Sequence, residues 1–480
     1  MKQIRRFGVF VVVLVLMFAL LAATALADTG LGITNPCYVL VSPTNNSAQM
    51  VVTWWDSSDV TTASVQYSTT SSFANTAGAS MTTVAATVSK TDTTNDYTAF
   101  EATMNDLAAN TTYYYRVGHD EVWSDEYSFI TADPSTSETS FMYMGDIQYA
   151  SYATAAADYQ AWGSLLQGAY QKFPGLDFGI LGGDMVQNGM KADNWQMFLA
   201  QATTTFCKLP MLAVPGNHES NSATTGKPEL FLNFLAMPTN GPTGFKEEFY
   251  SYDYGNCHVV ALSSNVFSNE QLLNGSMTED DFDRIATWIQ DDLANSNATW
   301  KIVVMHHPAY AVVSDDVATE VLANWAPIFV DAQVDMVFCG HQHIYMRTKA
   351  IKGVTYVMGN SGSKFYASAG VPYSAKMIAN TSTYQIVNAD DTNLVMTTYD
   401  VAGNSLDTVM LSAKDRTVTP VWTDPITGDI NGDGYITDAD VQLVINAILD
   451  CLSYSSNMDL NSDGKVDICD AHKLALLCAE

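Results

Sequence analysis

The stretch Gly340-His341-Gln342-His343 follows a short, mostly apolar run, Val334 to Cys339. Two imidazoles separated by one residue on a turn can reach two neighbouring metal ions at once. Alone, such a pair is a weak signal, because scattered histidines are usually surface or satisfied core residues. Here it is the last of five similar tips. Phe141 to Met144 ends in Gly145-Asp146, and Phe178 to Leu181 ends in Gly182-Gly183-Asp184. Met211 to Val214 leads to Pro215-Gly216-Asn217-His218-Glu219, and Lys301 to Met305 ends in His306-His307-Pro308. In an open α/β sheet, residues just beyond the carboxyl ends of strands converge on one crevice. Five such tips can therefore build one site.

The donor set has a chemical logic. Carboxylate, amide oxygen and neutral imidazole suit first-row metals, and a shared carboxylate can hold two ions about 3.5–4 Å apart. Of the eight histidines in the chain, His218, His306, His307, His341 and His343 all fall in these motifs. Core strands with incidental polar ends are the bland alternative, and they leave that concentration to chance.

The series GD, GGD, GNHE, MHHP and GHQH, in this order and spacing, resembles the calcineurin-like metallophosphoesterases. GHQHIYMR is most similar to the purple acid phosphatase branch, and the resemblance covers about residues 32 to 412. It implies a two-sheet, four-layer (αββα) sandwich holding two first-row transition metal ions, Fe, Mn or Zn. Carried over position by position, Asp184 would bridge both metals. Asp146 and His343 would complete most of the first site, and Asn217, His306 and His341 would fill the second. A hydroxide held on the metals would attack phosphorus in line with the ester oxygen. His218 would sit over the phosphate to stabilise it or protonate the leaving alkoxide. Glu219 would orient His218 or a metal ligand.

The sequence departs from the family in three places. Many members have Asp-x-His at the first motif, whereas this chain has Asp146-Ile147-Gln148. Purple acid phosphatases supply a tyrosinate three residues after the bridging Asp, a position held here by Gln187. Gln148, Gln187, Asn188 or water must supplement the first metal, and a colourless protein is expected. Purple acid phosphatases often carry further histidines shortly after the His306-like residue, yet none occurs between Pro308 and Gly340. His307 is the local substitute, or else a packed neighbour. Tyr345 and Arg347 match the family's GHxHxYxR, with packing as their expected role.

At the front, Lys2, Arg5 and Arg6 precede an apolar run from Phe7 to Ala23 and then Ala25-Leu26-Ala27. This reads as a signal peptide over 1–27; the run is shorter than the ~20 residues of a membrane span, so no stable anchor is expected. The chain would be secreted. With 51 acids against 21 Lys and Arg, the formal charge is −30. Such a surface repels polyanions and argues against nucleic acid as a partner. The seven cysteines, at 37, 207, 257, 339, 451, 469 and 478, are odd in number and dispersed, so most read as buried thiols. Cys451 and Cys478 could pair.

Residues 32–133 show period-two runs such as Gln49 to Trp54 and Ala63 to Tyr67, which read as a β-sandwich. Leu107 to Tyr113 resembles the tyrosine corner of fibronectin type III folds, with Tyr113 as the corner residue. Purple acid phosphatases of the larger type carry such a domain before the catalytic one. From Ser140 the pattern becomes strands alternating with helices, including Ala155 to Phe173 and a helix capped by Thr278 and Asp281 with Phe282, Ile285, Ile289 and Leu293 on one face. His258, in a strand-like segment, reads as a core or edge histidine, and His119 has no partner motif.

After a linker at 413–426, two loops recur. Asp429, Asn431, Asp433, Tyr435, Thr437 and Asp440, then Asp459, Asn461, Asp463, Lys465, Asp467 and Asp470, occupy positions 1, 3, 5, 7, 9 and 12 of calcium loops, with Gly434 and Gly464 at 6. Each loop runs into one helix. The duplication over 427–480 resembles a type I dockerin, which implies two Ca²⁺ ions and a cohesin partner on a cellulosome-like scaffold. The recognition positions would be Asp438, Ala439, Ile468 and Cys469.

The expected protein is multidomain: an N-terminal β-sandwich at 32–133, a central α/β four-layer domain at 140–412 and a small α-helical calcium-binding dockerin. Its expected function is that of a secreted phosphoesterase acting on small phosphate monoesters. A phosphodiesterase or nucleotidase on the same site is the alternative, and a non-catalytic adhesion or scaffold component is the alternative from another class.

Overall fold

The computed structural model describes residues 31–71, 81–220, 226–268, 277–367, 370–413, 441–445, 458, 460, 465–466 and 468–477. The expected signal peptide, nearly all of the linker, Cys451, Cys478 and most of the calcium-loop residues lie outside them. Those calcium-loop residues are Asp429, Asn431, Asp433, Tyr435, Thr437, Asp438, Ala439, Asp440, Asp459, Asn461, Asp463 and Asp467. None of the helices among the described residues is long and apolar enough to cross a membrane.

The first unit is a sandwich of two antiparallel sheets. One has the order β1 (Cys37–Pro43), β2 (Met50–Asp56), β6 (Tyr97–Met104), β5 (Thr87–Asp92). The other has the order β4 (Thr82–Ala85), β3 (Ser64–Ser68), β7 (Thr112–His119), β8 (Val122–Trp123), and β9 (Tyr127–Ile130) also pairs with β7. Alternate residues such as Val39, Val52, Trp54, Val65, Tyr115 and Val117 fill the space between them. Tyr113 is the corner residue the sequence suggested: its hydroxyl accepts the Ala108 N–H at 3.0 Å. The sandwich is docked rather than merely tethered. Trp55 stacks on Tyr97 at 4.4 Å and meets Phe234 of the following unit at 4.6 Å, and Tyr115 Oη donates to the Cys207 carbonyl at 2.7 Å.

The second unit stacks two sheets. The six-stranded sheet runs β12 (Met211–Ala213), β11 (Phe178–Leu181), β10 (Thr139–Met144), β20 (Thr383–Ala389), β21 (Asn393–Asp400), β22 (Ser405–Ser412). The seven-stranded sheet runs β13 (Tyr250–Tyr254), β14 (Cys257–Leu262), β15 (Trp300–Met305), β16 (Met336–Cys339), β18 (Thr355–Met358), β17 (Tyr345–Thr348), β19 (Ser374–Ile378). Phe141 and Tyr143 meet Phe338 at 6.0 and 4.7 Å across the interface.

The alternation of side chains makes the layers. Val259, Ala261, Ile302, Val304 and Phe338 face the inter-sheet core, while Val260, Leu262, Val303, Met305 and Val337 face the opposite way. There they pack on the helix Glu279–Asn295 through Ile285, Ile289 and Leu293, and on Ala326–Asp331. Thr278 and Asp281 form the expected capping box. Helices Ala155–Lys172 and Ala192–Phe206 complete the layering on the six-stranded sheet, where the bare face of Gly179 receives the Phe206 ring.

Register explains the site. Strands β10, β11 and β12 are parallel with Met144 beside Leu181 and Leu181 beside Ala213. Strands β14, β15 and β16 are also parallel, with Leu262 beside Met305 and Val304 beside Phe338. The five tips therefore leave their sheets at one edge.

In the tail, Val444, Leu460, Val466, Ala471 and Leu474 form a small core under the helix Ile468–Leu477. Asp470 is fully buried and accepts the Leu460 N–H at 2.9 Å, while Ile468 is 68 % exposed and Cys469 is exposed.

Candidate metal centre

The tips meet. Ligand-type atoms of Asp184, His306 and His341 lie within 4.8 Å of one another, as do those of Asp146, Asp184 and His343. Asp184 belongs to both groups. The backbone at four of these residues is bent to suit: Asp146 (φ 54°), Asp184 (φ 52°), His341 (φ 74°) and His343 (φ 48°) are all left-handed. Such φ values are costly for residues with a Cβ and cluster where function dictates them. Two glycines let the loops close. A Cβ on Gly183 would come within 2.7 Å of His306 Nδ1, and one on Gly216 within 2.2 Å of Asp184 Oδ1.

Three imidazoles have one nitrogen committed outward. His306 Nδ1 lies 3.0 Å from the Gly182 carbonyl, His218 Nδ1 lies 2.6 Å from the Gln187 carbonyl, and His341 Nε2 lies 2.6 Å from the Asp315 carboxylate. Those acceptors assign the ring protons to the outer nitrogens. In the neutral form of each ring the inner nitrogen is then the one that carries the lone pair. His306 Nε2 lies 3.2 Å from both Asp184 Oδ2 and Asn217 Oδ1, and His341 Nδ1 lies 3.0 Å from Asn217 Oδ1. Beside them, Asp146 Oδ2, Gln148 Oε1 and His343 Nδ1 are buried without a hydrogen-bond partner. Lone pairs converging in a buried space need a cation. The residues present fit two metal ions.

The electrostatics make the same demand. Burial lowers the His306 pKa, but Asp184, at hydrogen-bond distance, and Asp146 raise it to about 9. Asp184 is pulled well below the carboxylate range by His306 and His218 despite its burial.

Around this set, Glu219 is fully buried and accepts the backbone N–H groups of Asp184 (2.8 Å), Gly216 (2.7 Å) and Val186 (3.0 Å). It orients the loop of Asp184, not the ring of His218. Of the three residues suggested to supplement the first metal, the structure brings in Gln148, whose Nε2 lies 2.9 Å from Asp184 Oδ2 and 3.4 Å from His343 Nε2. Gln187 contributes its backbone carbonyl to His218, and Asn188 spends its Oδ1 on the Met190 N–H. His307 is 2 % exposed, with Nδ1 2.8 Å from Ser264 Oγ and its ring 4.3 Å from His341. It is a packed neighbour, held neutral by burial and by His341 and His306 beside it. Tyr345 and Arg347 also do what packing residues do, both binding Asp407 of β22 and so tying the two sheets together.

Sequence reasoning missed Asp315, Ser264 and Asn265. The amide of Asn265 supports the Asn217 turn by donating to the Gly216 carbonyl at 2.9 Å. Only Asp315 left a trace, as the N-cap of the helix Asp316–Asn324.

Residues 139–345 match the calcineurin-like phosphoesterase family, residues 36–131 the purple acid phosphatase N-terminal domain, and residues 427–475 the dockerin type I domain. The chain thus carries a calcineurin-like phosphoesterase domain, preceded by a purple acid phosphatase N-terminal domain and followed by a dockerin type I domain. Purple acid phosphatase 22 of Arabidopsis thaliana is 27 % identical over 254 residues, 51 % of this chain and 52 % of that protein. The acid phosphatase of Aspergillus ficuum is 25 % identical over 236 residues, 35 % of this chain and 38 % of that one. The chain spans about half or less of the curated relatives it matches. Among solved structures, the yellow lupin purple acid phosphatase superposes with a TM-score of 0.61 at 17 % identity, covering 79 % of this chain and 74 % of that one. PhoD superposes at 0.57 and 11 %, covering 78 % and 92 %. At these identities the likeness is one of fold.

Proposed function

We propose that the chain is a secreted phosphoesterase that hydrolyses small phosphate monoesters at a dinuclear metal centre and is tethered by its dockerin to a cohesin-bearing, cellulosome-type scaffold. The observation carrying this reading is the convergence of carboxylate, amide and imidazole donors from five strand tips on one buried space. Asp184 would bridge the two ions, Asp146, His343 and Gln148 would serve the first, and Asn217, His306 and His341 the second. First-row ions bound there supply activation of water and neutralisation of charge on the phosphoryl oxygens.

The protein's own groups do the remainder. Glu219 holds the Asp184 loop so that its carboxylate points inward. His218, with Nδ1 tied to Gln187, turns Nε2 toward Asp184 at 3.8 Å and retains 16 % side-chain exposure. In its protonated form it can donate from Nε2 to a phosphoryl or leaving-group oxygen. In the tail, the Lys465 backbone carbonyl and the Asp470 carboxylate would serve the second calcium ion, together with the loop residues outside the described set. Exposed Ile468 and Cys469 would face the cohesin.

The test is hydrolysis of p-nitrophenyl phosphate by purified protein, stripped of metal and reloaded with Mn, Fe or Zn, beside Asn217→Ala. Metal-dependent turnover lost in the variant is the expected result. Turnover confined to a diester analogue would make the protein a phosphodiesterase. Inertness toward both substrates with every metal would leave a scaffold component.

A further inference from the structure

The loop between β15 and the helix Asp316–Asn324 carries a carboxylate to the back of a proposed metal ligand. His341 Nε2 lies 2.6 Å from Asp315 Oδ2, and the opposite nitrogen, Nδ1, faces Asn217 Oδ1 at 3.0 Å. The side chains of His341 and Asp315 are 23 % and 16 % exposed, so the contact is sheltered from solvent. Asp315 itself is held. Its Oδ1 accepts the Ala318 N–H at 3.0 Å as a helix N-cap.

The loop is clamped by the residue between the two histidines. Gln342 Oε1 accepts the N–H groups of Val312 (2.7 Å) and Val313 (3.1 Å), and its Nε2 donates to the Val313 carbonyl at 2.8 Å. The Tyr373 hydroxyl ties the same loop at the Ala311 carbonyl. Gln342 is 4 % exposed, so these bonds are made in a dry setting where each counts.

We infer that Asp315 is a positioning residue, which by accepting the Nε2–H of His341 keeps the Nδ1 lone pair aimed at the second metal position, and that Gln342 sets the loop that delivers it. This inference rests on the dinuclear reading above. It explains why a glutamine sits inside the His-x-His pair: one strand tip presents two rings and clamps the segment that orients one of them. A carboxylate behind a ligating imidazole fixes its tautomer and raises its basicity, and losing such a partner typically weakens metal binding about 10–100-fold.

Asp315→Ser separates the two roles of Asp315, because serine still caps a helix but is too short to reach His341. Asp315→Asn keeps the shape and the cap without the charge. The full chain, wild type and variants, is stripped of metal and titrated calorimetrically with Zn²⁺, while thermal melts of the metal-free proteins report on the fold. Two binding events are expected in the wild type. In Asp315→Ser one of them weakens about 10–100-fold with the metal-free melt little changed, and Asp315→Asn lies between.

A second readout needs no metal. In ¹⁵N-histidine spectra of the metal-free protein, the His341 ring is expected in the Nε2–H tautomer, and Asp315→Ser shifts it toward Nδ1–H. Wild-type uptake of two ions with both events unchanged in Asp315→Ser, or an unaltered His341 tautomer, overturns the inference and leaves the dinuclear reading standing. A wild type that takes up no ion overturns both.

Discussion

Glu219 accepts the backbone N–H of Asp184 at 2.8 Å, and the same oxygen, Oε2, accepts the N–H of Gly216 at 2.7 Å. One buried carboxylate thereby joins the GGD loop to the GNHE turn. An amide cannot replace it without either facing an NH₂ toward N–H donors or leaving one of them unpaired. Leaving one buried donor unsatisfied costs about 1–3 kcal/mol. Glu219→Gln is therefore expected to destabilise the metal-free protein by about that amount, seen as a lower melting temperature, and to reduce turnover with every metal. A melt indistinguishable from wild type would show that the loops are held by other means.

His258 lies between two carboxylates, with Nδ1 2.7 Å from Asp253 and Nε2 2.9 Å from Asp292. Burial lowers its pKa, but the two carboxylates raise it to about 9. The folded pKa exceeds the unfolded value of about 6.5, so the stabilisation is complete below that value and is lost as pH rises through about 9. Asp253 is 78 % exposed, so screening reduces the shift to a contribution of about 2 kcal/mol. His258→Gln should remove the difference in stability between pH 6 and pH 9.5 that this residue supplies. Chemical denaturation at the two pH values measures it, and equal slopes in wild type and variant would refute it.

The five strand tips were legible because each couples an apolar run to chemistry-bearing residues, and strand polarity brings such tips to one edge. The sandwich was legible from alternation, as at Met50 to Trp54, and from Tyr113. What escaped has no local pattern. The Gly182 and Gln187 carbonyls that assign the protons of His306 and His218 are backbone groups, and any residue could stand there. Asp315 shows in sequence only as a helix cap, because its reach to His341 depends on a clamp by Gln342 that no periodicity encodes. His258 read as a buried strand histidine, which it is, but its two carboxylates come from a neighbouring strand and a distant helix.

Gln187 stands where purple acid phosphatases place a tyrosinate. Its carbonyl holds His218, and the neutral Gln148 joins Asp184 and His343 instead. Without a phenolate on iron there is no ligand-to-metal charge-transfer band. The iron-loaded protein is therefore expected to be colourless in the visible, and Gln187→Tyr is the variant in which colour should appear. A strong visible band in the iron-loaded wild type would mean that a tyrosine from elsewhere in the fold reaches the metal. Neutral ligands also stabilise Fe(III) less than an anionic phenolate does, so uptake should favour Mn, Zn or Fe(II).

Trp55 is 1 % exposed and is shared between the two large units, stacked on Tyr97 of the sandwich and touching Phe234 of the phosphoesterase domain. Thr203 Oγ1 adds a bond to the Val39 carbonyl at 2.8 Å, and Gln196 Nε2 one to the Leu31 carbonyl at 2.8 Å. An interface with a buried aromatic at its centre couples the folding of its two sides, so the sandwich acts as a structural buttress for the helix Ala192–Phe206. Trp55→Ala should destabilise the protein by about 3–5 kcal/mol. Calorimetry should show the wild-type pair of domains melting in one transition and the variant in two, the sandwich first. Two transitions already present in the wild type would mean that the units fold independently and that Trp55 stabilises the sandwich alone.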